Sequence, residues 1–367
     1  MSDLPTLAVQ QPPAPGKAWL EKAKKSRVTL ICLILLTLLI SIQSMAMGAF
    51  ELDPWVVLKS LFGLGEETAR TVIMNIRLPR IAAALVTGWS LGLSGLLMQT
   101  LLKNPLSSPF TLGISQGAAF GASFAIIFLN AGQLGSAALF TETQAVLFLH
   151  GFYSITVCAC LGGFLAAGTI LALAGLKNLS PQSLILAGVA LSSLFLSGTI
   201  LLQYFGTEAE IATAVFWTFG DVARSSWAET ALVAAVTLLS SFYLFRRGWD
   251  LNALLAGDET ALSLGVNVKT LRFTGMLLAS AMAALATAFN GTIAFLGLLA
   301  PHIARMLLGP DHRFLLPCSC IMGGLLLLLA DTFGRLAIGS GALPVGVLTS
   351  FLGAPLFLWL LIMGGKS

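Results

Sequence analysis

Stretches of about twenty residues with scarcely a charge recur along this chain, and they limit its possible folds more than any other feature. The first, residues 28–47 (VTLICLILLTLLISIQSMAM), is long enough as a helix to cross the ~30 Å hydrocarbon core of a bilayer. The runs are continuously apolar rather than alternating, which excludes a transmembrane β-barrel. Charged residues make up 10% of the 367, against ~25% in an ordinary soluble domain. The reading is therefore an all-α polytopic membrane protein. Residues 28–47 are too long and too rich in Leu and Ile for a signal-peptide core, and further runs follow, so they read as an uncleaved first span. Further spans are expected at 78–102, 111–129, 146–174, 183–204, 228–245, 270–290, 295–308, 315–335 and 344–362. That makes about ten, in a domain of residues 28–363 preceded by a polar, basic tail, 1–27. Segment 295–308 is short for a span, and Pro301 predicts a broken or tilted helix packed inside protein. Segment 48–76 reads as an interfacial connection, and 208–222 as a small surface helix.

The net charge of +4 invites a nucleic-acid partner, but the distribution of charge explains it better. Of the 20 Lys and Arg, only Lys59, Arg70, Arg77, Arg80, Arg224 and Arg335 fall on one side of the span map. The others fall on the side of the N-terminal tail. The positive-inside rule then places both termini in the cytoplasm and leaves no call for nucleic acid. The five cysteines all lie in apolar runs, an odd number without a disulfide framework. Each Cys-x-Cys pair diverges by roughly 200° around a helix, which does not suit a shared metal. Gly88, Gly92 and Gly95, with Ser90 and Ser94, give the second span a small-residue face for packing against a neighbour or for lining a pore.

No complete nucleotide-binding loop is present: the C-terminal GGKS lacks the glycine expected earlier, where Leu360 stands, and the chain ends where a helix should begin. Catalytic motifs are missing too, and the ionisable residues nearest a span centre are His302 and Arg305, expected to bond to loop carbonyls. Three connections are unusually polar: 103–110 (KNPLSSPF), 246–272 and 309–313 (GPDHR). Within the second, Gly257 followed by Asp258, Glu259 and Thr260 suits a helix start and Gly265 a stop, so a short surface helix is expected there.

Four blocks carry a family resemblance: IRLPRIAAALVTGWSLGLSGLLMQTLLKNPLSSPFTLGISQGAAFGA, LAGDETALSLGVNV, GTIAFLGLLAPHIARMLLGPDHR and LLLADTFGRLAIGSGALPVGVLTSFLGAPLFLWLL. They resemble the FecCD-type, BtuC-like permease subunits of ATP-binding-cassette importers for iron-siderophores, haem and vitamin B12. The match runs in order over residues 28–363, and the N-terminal tail departs from it by its length. The resemblance implies a pore formed with a second permease copy or a paralogue. It also implies two ATPase subunits on the cytoplasmic face and a periplasmic or lipid-anchored binding protein delivering cargo. No cofactor is expected on the chain itself, ATP being used by the partner.

By the same resemblance, Gly257, Asp258, Glu259, Ala261, Leu262, Leu264 and Gly265 couple to the ATPase. Arg77 and Arg335, with Arg80 a further candidate, meet acidic residues of the binding protein, a task suited to the planar guanidinium fork. Ser180, Pro181 and Gln182 lie where the family narrows its pore. The implied function is import of a ferric siderophore, or of haem or vitamin B12, across the inner membrane by alternating access. An ion-coupled secondary transporter is the rival from another class. It would need a carboxylate near the midplane, a position that only Asp331 approaches. An intramembrane enzyme is the third reading.

Overall fold

The computed structural model describes residues 15–48, 52–131, 142–177, 181–337 and 343–364. Fifteen α-helices follow one another along them, and among the described residues there is no strand. Helix α1 (Pro15–Ala46) is followed by the short α2 (Pro54–Leu61) and α3 (Glu67–Val72), and a π-turn at 73–77 leads straight into α4 (Leu78–Leu101). Then come α5 (Ile114–Phe128), α6 (Glu142–Lys177), α7 (Pro181–Tyr204), α8 (Glu208–Thr218) and α9 (Trp227–Arg246). The remainder are α10 (Gly248–Leu255), α11 (Asp258–Ser263), α12 (Val268–Asn290), α13 (Leu296–Leu308), α14 (His312–Ala337) and α15 (Val345–Gly364). Seven helices are long and apolar enough to cross a membrane. With α5, α13 and α15, shorter but apolar, a helix stands at each of the ten expected places.

Local chemistry explains the boundaries. Asp53 accepts the Trp55 N–H and Pro54 takes the first helical position of α2. Thr207 with Glu210 and Ser226 with Glu229 form capping boxes that start α8 and α9. The polar–apolar boundary at 27/28 is not a structural break. Pro15 opens α1, and after Gly16 the Ala-, Leu-, Glu- and Lys-rich residues from Lys17 on continue the helix. Residues 1–14 lie outside the described residues.

The second span is the axis of the molecule. Helix α4 is the most buried of the long apolar helices and packs against α14, α12, α13 and α9. Its small face is used for close approach: a Cβ at Gly88 would stand 2.3 Å from the Gly323 carbonyl oxygen, and one at Gly95 would stand 1.8 Å from that of Gly297. Ser90 and Ser94 donate to the α12 carbonyls of Met282 (3.0 Å) and Ala279 (2.7 Å). The face anticipated for packing or for a pore is thus engaged with neighbouring helices.

The break expected at Pro301 lies elsewhere. Helix α13 is continuous through Pro301, and the irregular backbone precedes it at 291–295, where Phe295 has φ 62°. Such backbone survives inside a bundle only where protein groups satisfy it. Here Thr292 donates to the Thr218 carbonyl, and Asp221 N–H donates to that of Asn290 at the end of α12. Pro301 has no N–H for the Gly297 carbonyl four residues earlier, and Gln99 Nε2 of α4 donates to that carbonyl instead, at 3.3 Å. Gln99 Oε1 accepts from Arg305 Nη2 at 3.1 Å. Arg305 therefore meets a side chain rather than a loop carbonyl, and His302 faces the Phe357 ring, 6.4 Å away between centroids.

The helices define two ends. One holds the start of α1, the C-terminus of α4, α10, α11 and the start of α14, as contacts from Arg313 to Trp19 and from Asp258 to Lys103 show. The other holds the C-termini of α1 and α14, α2, α3 and the start of α4.

Candidate functional site

At the first end, the expected surface helix is present as α11, spanning Asp258–Ser263. Gly257 enters it at φ 123° and Gly265 leaves it at φ 82°, conformations that a side chain would strain. Helix α11 is two-faced. Ala261 is fully buried in the core, while Glu259, Leu262 and Leu264 point outward, the two leucines 59% and 67% exposed. Asp258 does not project to solvent as a free helix-start charge. Its carboxylate bridges Lys103 Nζ (2.8 Å), just past α4, and Arg272 Nη2 (2.9 Å) on α12. Burial raises the Asp258 carboxyl, but hydrogen bonds and charge from Lys103 and Arg272 outweigh it, and the group titrates below its ordinary value.

Helix α10 completes this surface, and sequence reasoning did not resolve it within 246–272. Leu251 and Leu254 are buried, three apart on one face, while Trp249 and Leu255 are exposed. That three-residue spacing was the available signal. Trp249 and Leu255 on α10, Leu262 on α11 and Leu264 just after it thus stand out exposed and apolar on the connection between the long helices α9 and α12.

At the opposite end, the two expected docking arginines turn inward. Arg77, in the π-turn, is buried and donates to the Met45 and Ala46 carbonyls, capping the C-terminus of α1. Arg335 donates to Ser44 and to the Met47 carbonyl (3.4 Å), and pairs with Asp331 at 3.3 Å. Arg80 grips the same carboxylate through two nitrogens, Nη2 at 2.8 Å and Nε at 3.0 Å, and reaches Asp221 at 3.9 Å. Asp331 is thus buried between two guanidinium groups. The structure brings Arg77, Arg80 and Arg335 to one end, Arg77 buried and the side chains of Arg80 and Arg335 18% and 14% exposed.

Of the residues expected at a pore constriction, Ser180 lies outside the described residues, Pro181 begins α7, and Gln182 is exposed in its first turn.

Comparison with known proteins agrees with this architecture. A model of the FecCD transport family matches residues 33–363. A protein of Methanocaldococcus jannaschii, named as an ABC transporter permease without a stated cargo, is 48% identical over 92% of this chain and 95% of its own length. The hemin transport system permease of Yersinia pestis is 35% identical, with coverage of 92% and 96%. A solved structure described as the inward-facing conformation of a metal-chelate type ABC transporter superposes with a TM-score of 0.77 at 31% identity. That match covers 92% of this chain and 99% of the other.

Proposed function

Given that the chain belongs to the FecCD transport family, we propose that it is the permease subunit of an ATP-binding-cassette importer in the inner (cytoplasmic) membrane, translocating a ferric siderophore. Haem and vitamin B12 are the alternative cargoes, relatives named for each being similar to this chain to about the same degree. The observation that carries this reading is the apolar surface of Trp249, Leu255, Leu262 and Leu264 at the α10–α11 end. Two separate ATPase subunits seat on two such surfaces in a pair of permeases, and move them as rigid bodies when they bind and hydrolyse ATP. The permease itself holds no cofactor.

Both termini and the α10–α11 end face the cytoplasm, in keeping with the side that gathers most of the Lys and Arg. Cargo enters from the α2–α3 end, delivered by a binding protein. Arg77 and Arg335 serve that docking once carboxylates of the binding protein replace the α1 carbonyls they now hold, an exchange of one set of acceptors for a charged one. Alternating access follows from rocking of the bundle around the rigid α4 axis. The ion-coupled alternative fits less well, since Asp331 is already neutralised by Arg80 and Arg335.

Uptake by vesicles holding this chain decides between the classes. Transport that needs both ATP and the partner ATPase supports the importer, and ion-driven uptake without the ATPase refutes it. Supplying iron-loaded siderophore, haem and cobalamin in separate vesicles assigns the cargo.

A further inference from the structure

The ATPase-facing helices are tied to the centre of the bundle by a buried polar chain. His312, 1% exposed at the start of α14, has both ring nitrogens engaged. Nε2 is 2.8 Å from Thr100 Oγ1 in the last turn of α4, and Nδ1 is 3.0 Å from Asn252 Oδ1 on α10. Asn252 Oδ1 also accepts the His312 backbone N–H at 2.8 Å, and Asn252 Nδ2 donates to Asp311 Oδ1 at 2.8 Å. These neighbours fix the tautomer. Asn252 must present its oxygen to His312, because its nitrogen serves Asp311, so Nδ1 carries the proton and Nε2 of the neutral ring accepts.

Thr100 then has one hydroxyl proton and two acceptors, His312 Nε2 and the Leu96 carbonyl at 2.9 Å within its own helix. The two bonds are alternatives: when the hydroxyl turns to the Leu96 carbonyl, His312 Nε2 loses its donor and the link between α4 and α14 is released. A second tie runs in parallel through Asp258 to Lys103, just beyond the same helix end.

We propose that Asn252, His312 and Thr100 form a coupling relay that converts displacement of α10 and α11 into movement of α4 and α14, with the Thr100 hydroxyl as its releasable joint. The three are positioning residues, with Thr100 and His312 buried among helices. The proposal rests on the reading that α10 and α11 seat the ATPase, and on three helices meeting at one buried side chain.

The test uses the complete importer, with its ATPase and binding protein, in proteoliposomes. Thr100→Val keeps the size of the side chain and removes the hydroxyl; Thr100→Ser keeps the hydroxyl. Thr100→Val should retain ATPase association and basal hydrolysis but lower cargo moved per ATP about tenfold, the effect of one buried hydrogen bond. Thr100→Ser should return the ratio to within about twofold of wild type. Spin labels at positions 259 and 106, on α11 and beyond α4, should keep their separation on nucleotide binding in the wild type and change it in Thr100→Val. An unchanged ratio in Thr100→Val overturns the relay, as does loss of ATPase association in that variant, which would show a purely structural role. Failure of the underlying reading is seen separately, as intact binding-protein-stimulated hydrolysis in Leu264→Asp.

Discussion

Replacing single glycines by alanine along α4 and its neighbours tests whether close helix approach holds this bundle together. At Gly95 the added methyl would sit 1.8 Å from the Gly297 carbonyl oxygen, about 1.6 Å inside the 3.4 Å at which ordinary contact begins. The obstacle is backbone, so no rotamer change relieves it, and α4 and α13 must separate by on the order of an ångström. Overpacking of this kind costs about 1–3 kcal/mol or more, and here it also threatens the Gln99 bond to the same carbonyl. Gly88→Ala meets the Gly323 oxygen at 2.3 Å and should cost nearly as much. Gly324→Ala, 3.1 Å from the Leu85 oxygen, asks for only a small adjustment. Gly168, with nothing within 4 Å, is the control, where alanine should stabilise the helix by up to ~1 kcal/mol. At roughly 2 °C per kcal/mol for a long chain, Gly95→Ala and Gly88→Ala should lower the melting temperature by about 2–6 °C. Gly168→Ala should leave it unchanged or raise it. Fluorescence-detected size exclusion of heated, detergent-solubilised protein gives the values. If Gly95→Ala melts at or above wild type, the close α4–α13 contact is not what stabilises the bundle.

Four other outcomes follow from the same geometry. Leu264→Asp places a charge on the apolar α11 surface and should abolish transport and substrate-stimulated ATP hydrolysis while binding-protein association in detergent persists. Gln99→Leu leaves the Gly297 carbonyl and Arg305 without their partner and should cost about 2–3 kcal/mol, read as a lowered melting temperature; wild-type melting would show that Gln99 carries no such burden. Single cysteines at 313 and 224 in a cysteine-free background should label from opposite faces of the membrane, the first from the cytoplasm, and labelling from one face would break the orientation. Because the Asp258 pKa is lowered by folding, its bridge to Lys103 and Arg272 stabilises the protein above the unfolded carboxylate value. That stabilisation is lost as pH falls through the folded value. Asp258→Asn should flatten stability against pH in the acid range, and an unchanged acid profile would refute the assignment.

Much of the architecture was legible because a bilayer requires long apolar helices, and ten such runs can be read locally. The same holds for α8 and α11, whose starts are marked by Thr207 with Glu210 and by Gly257 with Asp258. Legibility failed where a residue's meaning depends on a partner far along the chain. Pro301 signals a missing N–H, yet nothing in its neighbourhood says that Gln99 will serve the orphaned carbonyl and let the helix run on. Arg77 reads as a rim charge because it stands at a span end; only the end of α1, whose last carbonyls have no partner within the helix, turns it inward. His312 looks like one polar residue of a loop, and its role emerges only when α4 and α10 meet it.

The ion pair between Arg80 and Asp331 has a consequence for biogenesis. The two residues are 251 apart in sequence. At about 5–20 residues per second, a ribosome delivers Asp331 roughly 10–50 s after Arg80. Through that interval Arg80 lacks its principal carboxylate, Asp331, and the Gly88 part of the α4 glycine face stays bare until the ninth span brings Gly323; Asp221, and α13 against Gly95, arrive before it. The newborn second span therefore needs shelter from lipid, at the insertion machinery or beside α1. A chain truncated before α14 should be a substrate for membrane quality control rather than a stable fragment.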